Sequence, residues 1–227
     1  SNSSAASDVY KRQDKVCDLD IFLETDEERL AKARVWEAVQ DAEDSPLVAS
    51  ALLEEILDQA PVNLEDGRTP LYCQDLAGRE IVGLMTSNDG VRFVNVPDSV
   101  YDATLHLSRI YRSMGDAEGS IGRAEALVSM SPSTVRSYLE LVNAVVEAGD
   151  FQRSEEILRK AIAVCVSAEE RQVVKYRLAF ALWQNGKLDH ALALYQTVGS
   201  QGPVAGAARE EMRELMGDCL LYTSPSP

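Results

Sequence analysis

The chain has 227 residues, 45% of them hydrophobic and 26% charged, the composition of a globular protein with enough apolar material for a core. It contains no run of the roughly 18 apolar residues that a membrane-spanning helix needs. A net charge of −15 opposes binding to nucleic acid, whose phosphates require a basic surface, and favours cationic partners.

Both ends read unlike the rest. Residues 3–13, including Asp8-Val9-Tyr10-Lys11-Arg12-Gln13, resemble the translation of a sequencing-library adapter ending in a transposase mosaic end. Residues 219–227, from Cys219 to Pro227, resemble the same element read in the other direction, and Ser1-Asn2 resembles a protease scar left by an expression tag. The expectation is natural sequence from about Asp14 to Asp218 only, a bacterial, metagenomic gene fragment whose own termini lie elsewhere. With Cys219 set aside, Cys17, Cys73 and Cys165 have no metal-ligand spacing, so reduced thiols in a cytoplasmic protein are expected.

Residues 14–61 read as an acidic helical hairpin. Thr25 and Glu28 have capping-box spacing, in which hydroxyl and carboxylate satisfy the amides of the first turn. Leu30, Ala33, Trp36 and Val39 form the expected apolar face of the first helix. Ser45-Pro46 restarts a helix, with Ser as N-cap and Pro at the first helical position. Leu52, Leu53, Ile56 and Leu57 give its stripe. Between Asp14 and Ala60 fourteen acidic residues face four basic ones, read as a solvated face or a dock for a basic partner.

Residues 62–97 change character. Asn63, Asp66-Gly67 and Pro70 are loop residues. Leu71 to Cys73, Arg79 to Thr86 and Val91 to Val96 then read as short antiparallel strands, the last two joined by a turn at Ser87-Asn88-Asp89-Gly90. Ile81, Val82, Val91, Phe93, Val94 and Val96 suit a pleated surface. The expected role is to brace the helices that follow.

From residue 98 to 205 a pattern of about 34 residues occurs three times, in 101–134, 135–171 and 172–205. Gly115, Gly149 and Gly186 set the register. Eight residues before them lie Leu107, Leu141 and Leu178, followed by Ser108, Val142 and Ala179. Five residues after them come the small side chains Ser120, Ser154 and Ala191, and seventeen after come Pro132, Val166 and Pro203. Each unit reads as a helix, a Gly-centred turn and a second helix, which must stack on neighbours to bury its apolar face. The excess length of the second unit falls in a polar linker around Ser167 to Glu170. Residues 206–218 read as one more amphipathic helix, a cap or part of a further unit.

These positions resemble the tetratricopeptide repeat (TPR), with Tyr111, Tyr138 and Tyr195 supplying aromatic positions. Thr104 and Lys175 depart from its large residue at position 4, and Leu127 and Val198 stand where Ala is usual. The resemblance implies a mainly α fold, a right-handed α-α solenoid of helical hairpins with a small β-hairpin or meander ahead of the repeats.

No catalytic constellation is visible: His106 and His190 lie in different helices, and phosphate loops, nucleophile elbows and metal-spaced clusters are absent from the sequence. No enzyme activity, cofactor or metal is expected. The resemblance implies instead a concave groove lined by the first helix of each unit. Its transferred positions are Leu105, His106, Arg109 and Arg112; then Arg136, Leu139, Glu140, Asn143 and Glu147; then Tyr176, Arg177, Phe180 and Trp183. Of these, Arg109, Arg112, Arg136, Asn143, Tyr176, Arg177, Phe180 and Trp183 are the expected partner-binding residues. Four arginines and an aromatic stripe fit a protein or peptide partner with acidic and apolar residues. The TPR clamp for C-terminal carboxylates is not matched, since Leu105 and Val173 replace its lysines. The alternative is self-assembly, as a homo-oligomer, or service as the scaffolding arm of a larger enzyme or transcription regulator.

Overall fold

A computed structural model of the chain describes residues 25–60, 69–73, 78, 81–82 and 93–223, with side chains as far as Gly217. Helices α1 (Asp26–Gln40) and α2 (Pro46–Asp58) precede strands β1 (Thr69–Leu71) and β2 (Phe93–Asn95). Then follow α3 (Asp98–Ser113), α4 (Ala117–Met130), α5 (Val135–Glu147), α6 (Phe151–Val164), α7 (Ala168–Gln184), α8 (Leu188–Gln196) and α9 (Ala205–Thr223). The fold is mainly α, with a small strand pair ahead of the repeated hairpins. It divides into two compact units, Ser1–Thr134 and Val135–Pro227.

The glycine register has a backbone cause. Gly115, Gly149 and Gly186 have φ of 76°, 81° and 74°, a left-handed conformation in which a Cβ is strained. Each ends a helix with the same pair of hydrogen bonds. Gly115 N–H donates to the Arg112 carbonyl and Asp116 N–H to that of Tyr111. Gly149 and Asp150 do likewise to Val146 and Val145, and Gly186 and Lys187 to Trp183 and Leu182. These bonds satisfy carbonyls that the helix end leaves open. Asp116 and Asp150 then start the next helix, each accepting an N–H, from Gly119 and Arg153 respectively, at 2.9 Å. Lys187, in the same place, makes no side-chain cap.

Small residues let the paired helices approach. Leu107, Leu141 and Leu178 are buried, as are Ser108, Val142 and Ala179 and the facing Ser120, Ser154 and Ala191. The Ser108 hydroxyl donates to the Ser120 carbonyl at 3.1 Å, so the polar atom is satisfied inside the contact.

In the first unit, Val35 and Ala38 of α1, Ala49, Leu53 and Ile56 of α2, and Ala103, Leu107 and Ile110 of α3 form one core. That corrects the face expected for α1: Leu30 and Trp36 are 65% and 63% exposed, Ala33 is exposed, and only Val39 packs against the core. α1 carries two apolar faces, and the one with smaller residues is the one that fits against α2 and α3. On α2, Leu53 and Ile56 are buried as expected, while Leu52 and Leu57 sit at the margin.

The capping expectations also shift. Thr25 caps α1, accepting from Glu28 N–H at 3.1 Å. The Glu28 carboxylate instead reaches the first turn of α3, accepting from Ser99 N–H at 2.7 Å and the Ser99 hydroxyl at 2.6 Å. A negative charge is favoured at that helix N-terminus. Ser45 forms no side-chain cap, although Pro46 does open α2. A complete capping box lies at Ser167 and Glu170, inside the stretch read as a linker.

The strands are the largest correction. β1 and β2 pair in parallel, Thr69 opposite Phe93 and Leu71 opposite Asn95, rather than antiparallel. The roughly twenty residues between them give the length that a parallel return requires. Ile81 and Val82 take helical backbone, a choice that a short apolar run leaves open. The turn expected at residues 87–90 lies outside the described residues. The pair is fastened to the first repeat: Tyr72 N–H donates to the Met130 carbonyl at 2.5 Å, and the Tyr72 ring stacks on Tyr101 with centroids 4.1 Å apart.

Candidate protein-interaction site

In the second unit, α7 presents the expected aromatic stripe, but its members do different things. The Tyr176 hydroxyl donates to Glu211 of α9 at 2.6 Å, and its ring lies 6.2 Å from that of Tyr195 on α8. The Tyr195 hydroxyl donates to the same carboxylate. Burial, reinforced by the Glu211 bond, pushes the Tyr176 hydroxyl up to about 12 and that of Tyr195 higher still. Tyr176 therefore ties α7 to α9.

Phe180 and Trp183 form an edge-to-face pair with centroids 6.4 Å apart, and Phe180 meets Phe151 of α6 in the same manner at 6.2 Å. Both remain half-buried. Arg177 is exposed on the same helix, Arg136 is exposed on α5, and Asn143 is half-buried there. Glu140, a transferred groove position, is buried instead.

In the first unit, Arg109 and Arg112 are half-buried on α3, with His106 one turn away. Leu105 does not reach a surface: it is buried among Tyr72, Val96, Val100, Tyr101 and Leu127. The four arginines thus fall two to each unit. Among the described residues, no cluster of His, Cys, Asp or Glu is placed to hold a metal, and no helix is long and apolar enough to cross a membrane. Burial pushes the Cys165 thiol up, and it donates to the Ala161 carbonyl at 3.3 Å, a structural thiol rather than a reactive one.

No family model matches the sequence, and no curated protein matches it. Among solved structures, the nearly identical TPR-like repeats of a kinesin light chain-like protein from Podosopora anserina match with 18% identity and a TM-score of 0.54. The match covers 84% of this chain and 86% of that one. A glutamine-to-methionine variant of the same repeats matches with 17% identity and a TM-score of 0.55, covering 85% and 88%. The fold is that of TPR-like helical repeats.

In TPR-like terms, α3–α4, α5–α6 and α7–α8 are three successive hairpins. Two features of this arrangement were not visible in the sequence. The first is Glu155 on α6, nearly buried, which accepts from Lys187 at 2.8 and 3.0 Å, from Arg159 at 2.9 Å and from Asn185 at 3.0 Å. It joins the second hairpin to the third. Its signal was the Lys187 that breaks the Gly-Asp pattern of the other turns. The second is a cleft of about 840 Å³ in the first unit, between α1, the end of α2, the strand pair and the start of α3. Leu30, Ile56, Tyr72 and Val96 supply apolar wall, and Lys32 pairs with Asp98 at its edge at 3.2 Å. It assembles from residues within 25–34, 56–60, 72–73 and 95–99, so no local pattern announces it.

Proposed function

We propose that the chain is a non-catalytic protein-interaction module that holds a peptide or protein surface against the first helices of its TPR-like hairpins. Folds of this kind are generally protein–protein interaction modules. The observation that carries the reading is the Phe180–Trp183 pair, left half-buried on α7 beside the exposed Arg177. Large aromatics and arginine dominate interface energetics when a partner completes their burial. A rigid edge-to-face pair also loses little entropy on binding.

Arg136 and Asn143 on α5 and Tyr176 on α7 are the further contacts assigned to the second unit. Arg109 and Arg112 serve the first unit. A partner segment with acidic and apolar residues matches the second unit's residues. Display of random peptides against the full chain, counter-screened with Phe180→Ala/Trp183→Ala, tests the reading. A motif enriched on the parent and lost on the variant supports it. Enrichment indifferent to the variant, or a mass in light scattering above that of one chain and reduced by the variant, replaces it with another site or with self-assembly.

A further inference from the structure

The third Gly-centred turn differs from the other two in the residue before its glycine. Met114 precedes Gly115 and Ala148 precedes Gly149, whereas Asn185 precedes Gly186, the only Asn–Gly pair in the sequence. Asparagine is thermally labile, most of all before glycine, where no side chain hinders attack by the next backbone nitrogen on its amide carbon. The same amide is part of the contact between the second and third hairpins. Asn185 Nδ2 donates to the Phe151 carbonyl at 3.1 Å and to the Glu155 carboxylate at 3.0 Å. Lys187, two residues on, donates to that carboxylate as well. One turn therefore carries both a labile group and a junction that depends on it.

The closed turn protects the amide. Attack needs the Gly186 nitrogen to be free of its proton and to lie alongside the Asn185 side chain. Its N–H instead donates to the Trp183 carbonyl at 2.8 Å, and the Lys187 N–H fixes the turn to Leu182 at 2.9 Å. A ψ of 6° at Asn185 turns the Gly186 nitrogen away, because ring closure needs it nearly eclipsed with Cβ about the Cα–C bond. Gly186 itself is exposed, so water and base reach it once the turn opens. We propose that Asn185 is a deamidation site gated by this turn, whose product opposes renewed contact between the second and third hairpins. On opening, the Gly186 nitrogen gives its proton to a solvent base and bonds to Cγ of Asn185. The C–N bond of the side-chain amide breaks, and its nitrogen takes up a proton and leaves as ammonia. One water then opens the cyclic imide at either carbonyl, leaving an aspartyl or an isoaspartyl residue. An aspartyl oxygen in the place of Nδ2 sets an acceptor against the Phe151 carbonyl and a second negative charge against Glu155. The isoaspartyl form also lengthens the backbone by a methylene and displaces the Gly186 and Lys187 N–H donors. Opening of the turn thus becomes irreversible.

The test ages the full chain at mildly alkaline pH and follows residue 185 by peptide mass spectrometry. The readout is the mass gain of amide-to-acid conversion, with the isoaspartyl form separated by its retention. The folded parent should convert about tenfold or more slowly than the same chain in guanidinium chloride. Glu155→Gln weakens the same junction, so it should speed conversion of the folded chain about tenfold, the reacting species being the open one. Asn185→Gln, whose longer side chain closes a ring far more slowly, should gain no mass at this position. Asn185→Asp, made directly, should lower the urea midpoint and speed hydrogen exchange in peptides from residues 151–190, as should the aged parent. Circular dichroism should report the parent's helicity in each variant before ageing. Equal rates in the folded and unfolded chain, or a rate indifferent to Glu155→Gln, overturn the gating. No conversion even in the unfolded chain overturns the site. An Asn185→Asp chain with the parent's midpoint and exchange overturns the effect assigned to the product.

Discussion

Glu155 carries more of the second unit's organisation than any other charged side chain described. Burial alone would raise its carboxyl, but bonds from Lys187, Arg159 and Asn185, and the charge of Lys187, outweigh it and hold the group at about 2 against an ordinary 4.5. A depressed folded-state value means that the contribution to stability is full above about 4.5 and is lost as the pH falls towards 2. Glu155→Gln should cost about 2 kcal/mol near neutral pH, moderated because Lys187 and Arg159 are half exposed. Urea midpoints followed from neutral to acid should converge for parent and variant across that window; a constant gap would sink the assignment. Gly149 makes a purer backbone case. No atom lies within 4 Å of where its Cβ would stand, so Gly149→Ala should cost about 1 kcal/mol through its φ of +81° alone. Gly149→Asn should recover part of that, and equilibrium denaturation distinguishes the two.

At the scale of elements, two serines in similar sequence settings should behave differently. Ser167 opens α7 with a reciprocal capping box, whereas Ser45 opens α2 without any side-chain bond. Ser167→Ala should therefore lower stability by about 1 kcal/mol and Ser45→Ala by almost nothing, read from thermal midpoints. The same contrast marks what was legible in the sequence. The hairpins were, because their demands are local: a left-handed residue at 115, 149 and 186, and a small one where two helices cross. Whatever depended on distant residues was not. Glu28 has its partner at Ser99, the buried face of α1 is decided by α3, and β1 is paired by a strand some twenty residues further on. At the candidate site the aromatic spacing on α7 was readable, but not the Glu211 that draws Tyr176 into packing. Leu105 and Glu140 were assigned to a surface by position alone, and both are buried.

Across the whole molecule, stability should be distributed as in other repeat folds. Packing in the second unit runs between neighbouring helices: α5 with α6, α6 with α7, α7 with α8, and α8 with α9. In such an arrangement a lesion is felt by its own hairpin and by the ones it touches. Glu155→Gln cuts the link between the second and third hairpins, so its effect should stay close to α6, α7 and the start of α8. Hydrogen exchange read by mass spectrometry would show this as faster exchange in peptides from residues 151–190, with α1 to α3 at the parent rate. Uniformly faster exchange from α1 to α9 would instead mean that the chain opens as a single cooperative body.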